Sequence, residues 1–281
     1  MSQKSYQTNQ NKLYLIPTPI GNMDDITFRA LKTLKMVDLI LCEDTRVTEQ
    51  LLAHFHLHKR LLSCHDHNED KMQDKVLQFL QEGLNIGLVT DRGTPIISDP
   101  GYKIVSYVVQ NGYDVISLPG PTALIPALTM SGLNPSPFLF YGFTSSKYEQ
   151  KRRELASLAR LPYTLIFYES PHRIIDTLTA FLEVFGDREI AICREISKLY
   201  EEVYRGTISQ VIQELGDAIK GELVIVVSGN LQVEDYSSLS IIEHVQLYME
   251  DGLSSKEAIK KVALERDLPK SVVYKEYHMG E

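Results

Sequence analysis

The 281-residue chain carries three cysteines, Cys42, Cys64 and Cys193, scattered and odd in number. No C-x-x-C pair occurs, so neither a disulfide framework nor a cysteine zinc site is expected. His65 and His67 beside Cys64 would face one side of a strand end, yet no third and fourth ligands stand near them; no metal is expected. Apolar runs long enough to cross a bilayer are missing. Residues 1–12 are polar and lack the hydrophobic stretch of a signal peptide, so a loose tail in a cytoplasmic protein is expected. Positive charge is not in excess, with 29 Lys and Arg against 37 Asp and Glu and a net charge of −8. That balance does not advertise a nucleic-acid partner, although a local basic patch would escape a global sum. The phosphate-cradling G-x-x-x-x-G-K-[ST] and a G-x-G-x-x-G after the first strand are absent too, which lowers the weight of NTPase and ordinary dinucleotide readings. The lack of G-x-S-x-G disfavours an α/β-hydrolase.

What remains is alternation. Short apolar runs at Leu13–Ile16, Asp38–Cys42, Leu61–Cys64, Ile86–Thr90 and Val115–Leu118 are separated by amphipathic stretches. Among these, Phe28, Leu31, Leu34 and Met36 or Val37 are expected on one buried helix face. Strands alternating with helices imply an α/β fold with a mainly parallel sheet. The Pro- and Gly-rich stretch 132–137 is the best boundary, giving a first α/β domain over 13–132 and a second over 133–231. The second half reads as strands at Phe138–Tyr141, Thr164–Tyr168, Glu189–Cys193, Glu201–Arg205 and Leu223–Val227, with helices between. A polar linker, 232–238, leads to a helical appendage over 238–281. Its spacing suits a helical hairpin, either a packing appendage or a nucleic-acid reader.

Unusual residues gather at strand ends. The stretch from Val89 to Gly101 holds two Gly, two Pro and several capping side chains, directly after an apolar strand. Glycine permits close approach and left-handed angles, while proline removes a donor. Such a loop, with Gly93, Thr94, Pro95, Ile96 and Ile97 at its centre, suits a cationic or neutral nucleotide-like cofactor better than a bare phosphate. Pro119-Gly120-Pro121-Thr122 ends the next strand. Glu43-Asp44-Thr45-Arg46 reads either as a helix N-cap with a surface ion pair or as part of a lined cleft. Polar groups at four further strand-end places, Asp91-Arg92, Glu169, Arg194-Glu195 and Lys198, favour the cleft.

Taken in order, Pro17 to Asn22, Cys42 to Arg46, His67 to Glu69, Gly93 to Tyr102, Leu118 to Thr122, Phe167 to Arg173, Arg194-Glu195 with Lys198, and Arg205 to Thr207 resemble the small-subunit ribosomal RNA cytidine 2′-O-methyltransferases within the tetrapyrrole methylase superfamily. The resemblance covers nearly the whole chain from Leu13. It implies a two-domain tetrapyrrole-methylase-like fold with a mixed sheet in the second domain. It implies a cytoplasmic homodimer that binds S-adenosylmethionine between two lobes and methylates a cytidine of 16S RNA, within the 30S subunit. Carried over by motif, the cofactor would touch Pro17, Gly93 to Ile97, Thr122, Ala123, Tyr168, Gly221 and Glu222. A carboxylate base is expected among Asp44, Glu43 and Glu169, in that order. Arg46, Arg173 and Lys198 would hold phosphates, and Lys147, Lys151, Arg152 and Arg153 would form the local basic surface. Arg92 stands where the family usually has a small residue, and is expected either to face solvent or to add an RNA contact. The alternative keeps the cofactor and exchanges RNA for a tetrapyrrole precursor or another small molecule.

Overall fold

A computed structural model describes residues 3–7, 9–65, 68–216, 219–231, 239–250 and 252–279. His67 and the linker 232–238 lie outside the described residues. Residues 1–229 form one compact unit and 230–281 a second.

The first sheet contains β1 (Leu13–Leu15), β2 (Leu39–Cys42), β3 (Arg60–Ser63), β4 (Ile86–Leu88) and β5 (Val115–Ser117), ordered β3-β2-β4-β1-β5. Every pairing is parallel. Its central strands are short and wholly apolar, as strands covered on both faces must be. The connecting helices are α1 (Phe28–Met36), α2 (Thr45–His54), α3 (Glu69–Gln81) and α4 (Tyr102–Gln110). The buried face of α1 is Ala30, Thr33 and Leu34, whereas Phe28 is 86% exposed and Met36 is exposed as well. The expectation for Phe28 is corrected, and of the alternatives Met36 or Val37 it is Val37 that is buried: the chain enters α1 through the Thr27 cap, whose side chain accepts from Ala30 N at 3.0 Å and turns Phe28 outward.

The second sheet is mixed. It comprises β6 (Phe138–Phe143), β7 (Thr164–Glu169), β8 (Glu189–Arg194), β9 (Glu202–Thr207) and β10 (Leu223–Val227), in the order β6-β7-β10-β8-β9. Only β6 and β7 run parallel; the other neighbours are antiparallel. Strand alternation sorts its residues onto two apolar faces. Phe167, Ile192, Leu223, Ile225 and Val227 meet α6 (Tyr148–Ala156), α7 (Ile174–Phe185) and α8 (Ile208–Leu215). Ile166, Ala191, Cys193, Val224 and Val226 meet α5 (Leu124–Ser131) through Ala127 and Leu128, together with Ile20. Thus α5, which follows the first sheet, is a cover for the second.

The terminal unit contains α9 (Ile241–Glu250), α10 (Ser255–Glu265) and α11 (Lys270–Met279), built around Val245, Ile259, Val262 and Val273. Ser254 and Glu257 close a capping box that starts α10.

Candidate active-site cleft

The loops beyond β1 and β4 are pinned to each other. Thr18 and Gly93 each donate an N–H to the other's carbonyl, at 2.9 and 3.0 Å, and Thr18 Oγ1 donates to the Thr90 carbonyl at 3.0 Å. Gly93 has φ +85°, and a Cβ there would press on Ile20 at 3.3 Å, so glycine is required at this crossing. Ile96 also adopts a positive φ, +82°, unusual for a β-branched residue and imposed by the loop around it. The turn leaves the neighbouring Ile97 half exposed at the cleft. Behind the loop, the buried Glu69 carboxylate accepts N–H groups of Gly101 and Lys103 at 3.1 and 2.7 Å. It caps the positive end of α4 from a helix more than thirty residues earlier.

The remaining walls come from three other strand ends. Thr94 Oγ1 donates to the Pro121 carbonyl at 2.9 Å, which joins the two Pro/Gly loops. The Tyr168 hydroxyl meets the Thr122 side chain and Leu124 backbone, and burial raises its pKa above the usual phenol value. Its ring lies edge-on to Phe140 and Phe143, at 4.9 and 5.6 Å between centroids. Gly221 and Glu222 enter from the start of β10. Together these residues enclose a cleft of about 370 Å³.

Of the residues expected to hold a cofactor, Gly93, Thr94, Ile97, Thr122, Ala123, Tyr168, Gly221 and Glu222 line this cleft. Pro17, Pro95 and Ile96 do not. Pro17 instead packs on Gly120, where a Cβ would come within 2.6 Å of the Pro17 ring. Sequence reasoning overlooked Ile20, Ser98, Asp99, Phe143, Ser170 and Ile196 in the lining. Ile20, Ser98, Asp99 and Ser170 fall inside motifs already singled out, whereas Phe143 and Ile196 are lone apolar residues outside any motif. Arg92 lines the cleft and pairs with Glu222, with its side chain 54% exposed to solvent. Lys198 bridges Glu195 and Glu222 at 2.8 and 3.0 Å. That bond and the Glu222 N–H hold Glu195 below the usual carboxylate range. Two carboxylates therefore already meet the Lys198 charge that was expected to hold a phosphate.

The three expected bases sit in different settings. Asp44 caps α2, and its carboxylate is gripped by the Arg46 guanidinium, with Nε 3.0 and 3.2 Å from its two oxygens. Arg46 holds its pKa down at about 2. Glu43 is exposed, and neither Glu43, Asp44 nor Arg46 belongs to the cleft lining. Glu169 does belong to it, although its side chain is only 1% exposed. Thr177 Oγ1 donates to Glu169 Oε2 at 2.6 Å, and the Ser170 N–H to Oε1 at 2.8 Å. Arg173 Nε stands 3.3 Å from Oε1, while its Nη2 donates to the carbonyls of Thr144 and Ser145 at 2.7 and 3.0 Å.

Lys151 completes this group and corrects another expectation. It is 2% exposed, not part of a basic surface, and its Nζ donates to Thr177 Oγ1 at 2.6 Å. Burial lowers its pKa, opposed by the attraction of Glu169. The helix period explains the error: α6 turns Lys151 inward with Leu155, while Lys147, Arg152 and Arg153 stay exposed. Arg152 pairs with Glu183 at 3.3 Å.

The model of the tetrapyrrole (corrin/porphyrin) methylases matches residues 12–212. A protein of Bacillus subtilis called ribosomal RNA small subunit methyltransferase I is 47% identical over 276 residues, covering 96% of this chain and 94% of its own. A protein of the same name from Halalkalibacterium halodurans is 45% identical and covers 99% of both chains. Among solved structures, the methyltransferase CobJ is similar at a TM-score of 0.60 and 16% identity, over 78% of this chain and 95% of its own. A uroporphyrin-III C-methyltransferase of Thermus thermophilus complexed with S-adenosyl homocysteine gives 0.56 and 20%, over 77% and 97%. At these identities the structural likeness speaks for the fold.

Proposed function

Since the chain belongs to the tetrapyrrole (corrin/porphyrin) methylase family, we propose that it transfers a methyl group from S-adenosylmethionine to the 2′-hydroxyl of a cytidine ribose in the decoding region of 16S RNA. The substrate in this reading is the 30S subunit, and the enzyme works in the cytoplasm as a homodimer. The observation that carries the reading is the convergence of four separate strand ends on one cleft: Gly93–Thr94, Thr122–Ala123, Tyr168 and Gly221–Glu222. The names of the near-full-length relatives supply the ribosomal substrate.

The cleft fits such a cofactor on its own chemistry. Ile97, Phe143 and the Tyr168 ring offer apolar surface for a flat base, Gly93 and Gly221 expose main chain, and the Asp99 carboxylate suits hydroxyl and cationic groups. S-adenosylmethionine supplies an already activated methyl sulfonium when bound, so positioning and electrostatics are the protein's chief tasks. The Thr18–Gly93 and Thr94–Pro121 bonds fix the loops on one side. Glu169 fixes the Ser170–Pro171 wall on the other through its bond from Ser170 N. As the one of the three expected bases that lines the cleft, Glu169 moves ahead of Asp44 and Glu43 as the group to receive the hydroxyl proton. Asp44, with a pKa of about 2, is a weak base. The exposed Lys147 and Arg153 remain suited to phosphates.

The test is to incubate the protein with radiolabelled S-adenosylmethionine and 30S subunits lacking the modification. Label should appear in an alkali-stable dinucleotide containing cytidine, because a 2′-O-methyl blocks hydrolysis at that ribose. Label found only in a tetrapyrrole precursor, or none on RNA, would overturn the reading.

A further inference from the structure

An acceptor oxygen has to come within roughly 3 Å of the transferred carbon. Its seat must therefore open into the cofactor cleft. A second hollow, of about 580 Å³, adjoins the cleft: Ile20, Thr122 and Ile196 line both. Among these shared residues, Ile196 is held by an unusual backbone. Its neighbours on either side, Glu195 and Ser197, adopt φ of +52° and +69°. Non-glycine residues rarely take such angles, and they persist where surrounding contacts over-determine them.

Those contacts are present. Glu195 Oε1 accepts from Lys198 Nζ and the Glu222 N–H at 2.8 and 2.9 Å. The Ser197 N–H donates to Glu201 Oε2 at 2.7 Å, and its hydroxyl donates to the Asp25 carboxylate. The loop is thereby bent so that Ile196, only 7% exposed, becomes a wall common to the two hollows.

The chemistry of the second hollow is specific. One side is apolar, with Pro121, Ile125, Pro126 and Met130, and Ile125 is 43% exposed there. The rim carries the carboxylates of Asp25 and Glu201 and the hydroxyls of Thr27 and Ser197; no Lys or Arg is among its described residues. A phosphate is repelled by such a rim. A neutral base with an amine fits it, because a carboxylate is the complementary acceptor for the N4 amine of cytosine, whereas uracil presents a carbonyl at that position. Enzymes that act on one nucleotide commonly extrude it into a pocket lined by apolar side chains, reading the base by its hydrogen-bonding edge.

We propose that this groove seats the acceptor as an extruded cytidine, with the base against Ile125 and Pro126, the amine towards the Asp25–Glu201 carboxylates, and the ribose at the opening formed by Ile20, Thr122 and Ile196. The proposal rests on the methyl-transfer reading above and adds to it where the acceptor lies and how cytidine is distinguished from uridine.

Two variants test it. Ile125→Arg, at an exposed position, should cut methyl transfer to 30S subunits at least about tenfold while calorimetric affinity for S-adenosylhomocysteine stays within about twofold. Transfer at the wild-type rate would overturn the assignment. So would a parallel loss of S-adenosylhomocysteine binding, which would make the groove part of the cofactor site. Loss of transfer together with a smaller sedimenting species would make it a contact between two copies, again overturning the proposal. Glu201→Gln should lower kcat/KM on cytidine-bearing subunits by about tenfold and have a smaller effect on subunits carrying uridine at the target. Equal losses on both would remove the amine contact. If the wild-type protein labels no ribosomal RNA at all, the methyl-transfer reading fails first, a result distinguishable from failure of the groove alone.

Discussion

Two strand ends in this molecule carry nearly the same local sequence logic and meet opposite fates. After β2 come Glu43, Asp44 and Arg46, while β7 ends in Glu169 with Arg173 four residues on, each leading into a helix. At the first, the carboxylate faces water, caps its own helix and is matched by an arginine two residues on. At the second, the carboxylate is buried among Thr177, Arg173 and, through Thr177, Lys151. Local motif is similar; the difference lies in what long-range packing brings opposite. A buried charge is tolerated only when partners meet it, and α6 and α7 deliver those partners to Glu169. Nothing comparable covers Asp44.

The contrast can be broken experimentally. Glu169→Gln should reduce single-turnover methyl transfer by about 10²–10⁴-fold, while Glu43→Gln leaves it within about threefold of wild type; equal losses would erase the distinction between the strand ends. Thr177→Val leaves both the Lys151 ammonium and the Glu169 carboxylate short of a partner. It should cost about 3 kcal/mol in urea unfolding, and Thr177→Ser should restore most of it. An unchanged unfolding midpoint would mean that the buried group is not coupled as the distances imply. Gly93→Val, at the crossing that joins the β1 and β4 loops, should weaken S-adenosylhomocysteine binding about tenfold by calorimetry, through strain at a left-handed backbone.

The smallest effect concerns pH. Asp44 has its carboxyl pKa lowered from 3.8 to about 2 in the folded protein, mainly by Arg46. A depressed folded pKa means that the stabilisation is fully present above about pH 4 and is lost as pH falls towards 2. Arg46→Ala should flatten that part of the acid limb by lowering Tm slightly at neutral pH and not at pH 2, a small loss because the pair is exposed. An identical acid limb in the variant would show that the ion pair does not form in solution.

Much of this arrangement was legible beforehand. The apolar runs that became β1, β2, β4, β7 and β10 are short and bounded by turn residues, which is how buried strands in such sheets read. The Pro/Gly loops were visible because those two residues change the backbone's options directly. Other features depend on partners far away in sequence. Lys151 looks like one cation in a basic helix until Thr177, twenty-six residues later, and Glu169 are placed beside it. Glu69 opens α3, and packing sends its carboxylate to the start of α4. Left-handed angles at Ile96, Glu195 and Ser197 have no compositional sign at all, because these are not residues that favour them.

The placement of α5 has a consequence for how the molecule can be divided. Ala127 and Leu128 lie against Ile166, Ala191, Val224 and Val226, although the helix precedes the Pro-rich stretch 132–137 in the chain. Scission within that stretch would strip an apolar sheet face on one fragment and leave a greasy, partnerless helix on the other. Separately expressed halves should therefore be poorly behaved alone and recover on mixing, whereas fragments cut ahead of α5 would keep the helix with the sheet it shields. The punctuation of the sequence and the seam of the folded object fall in different places.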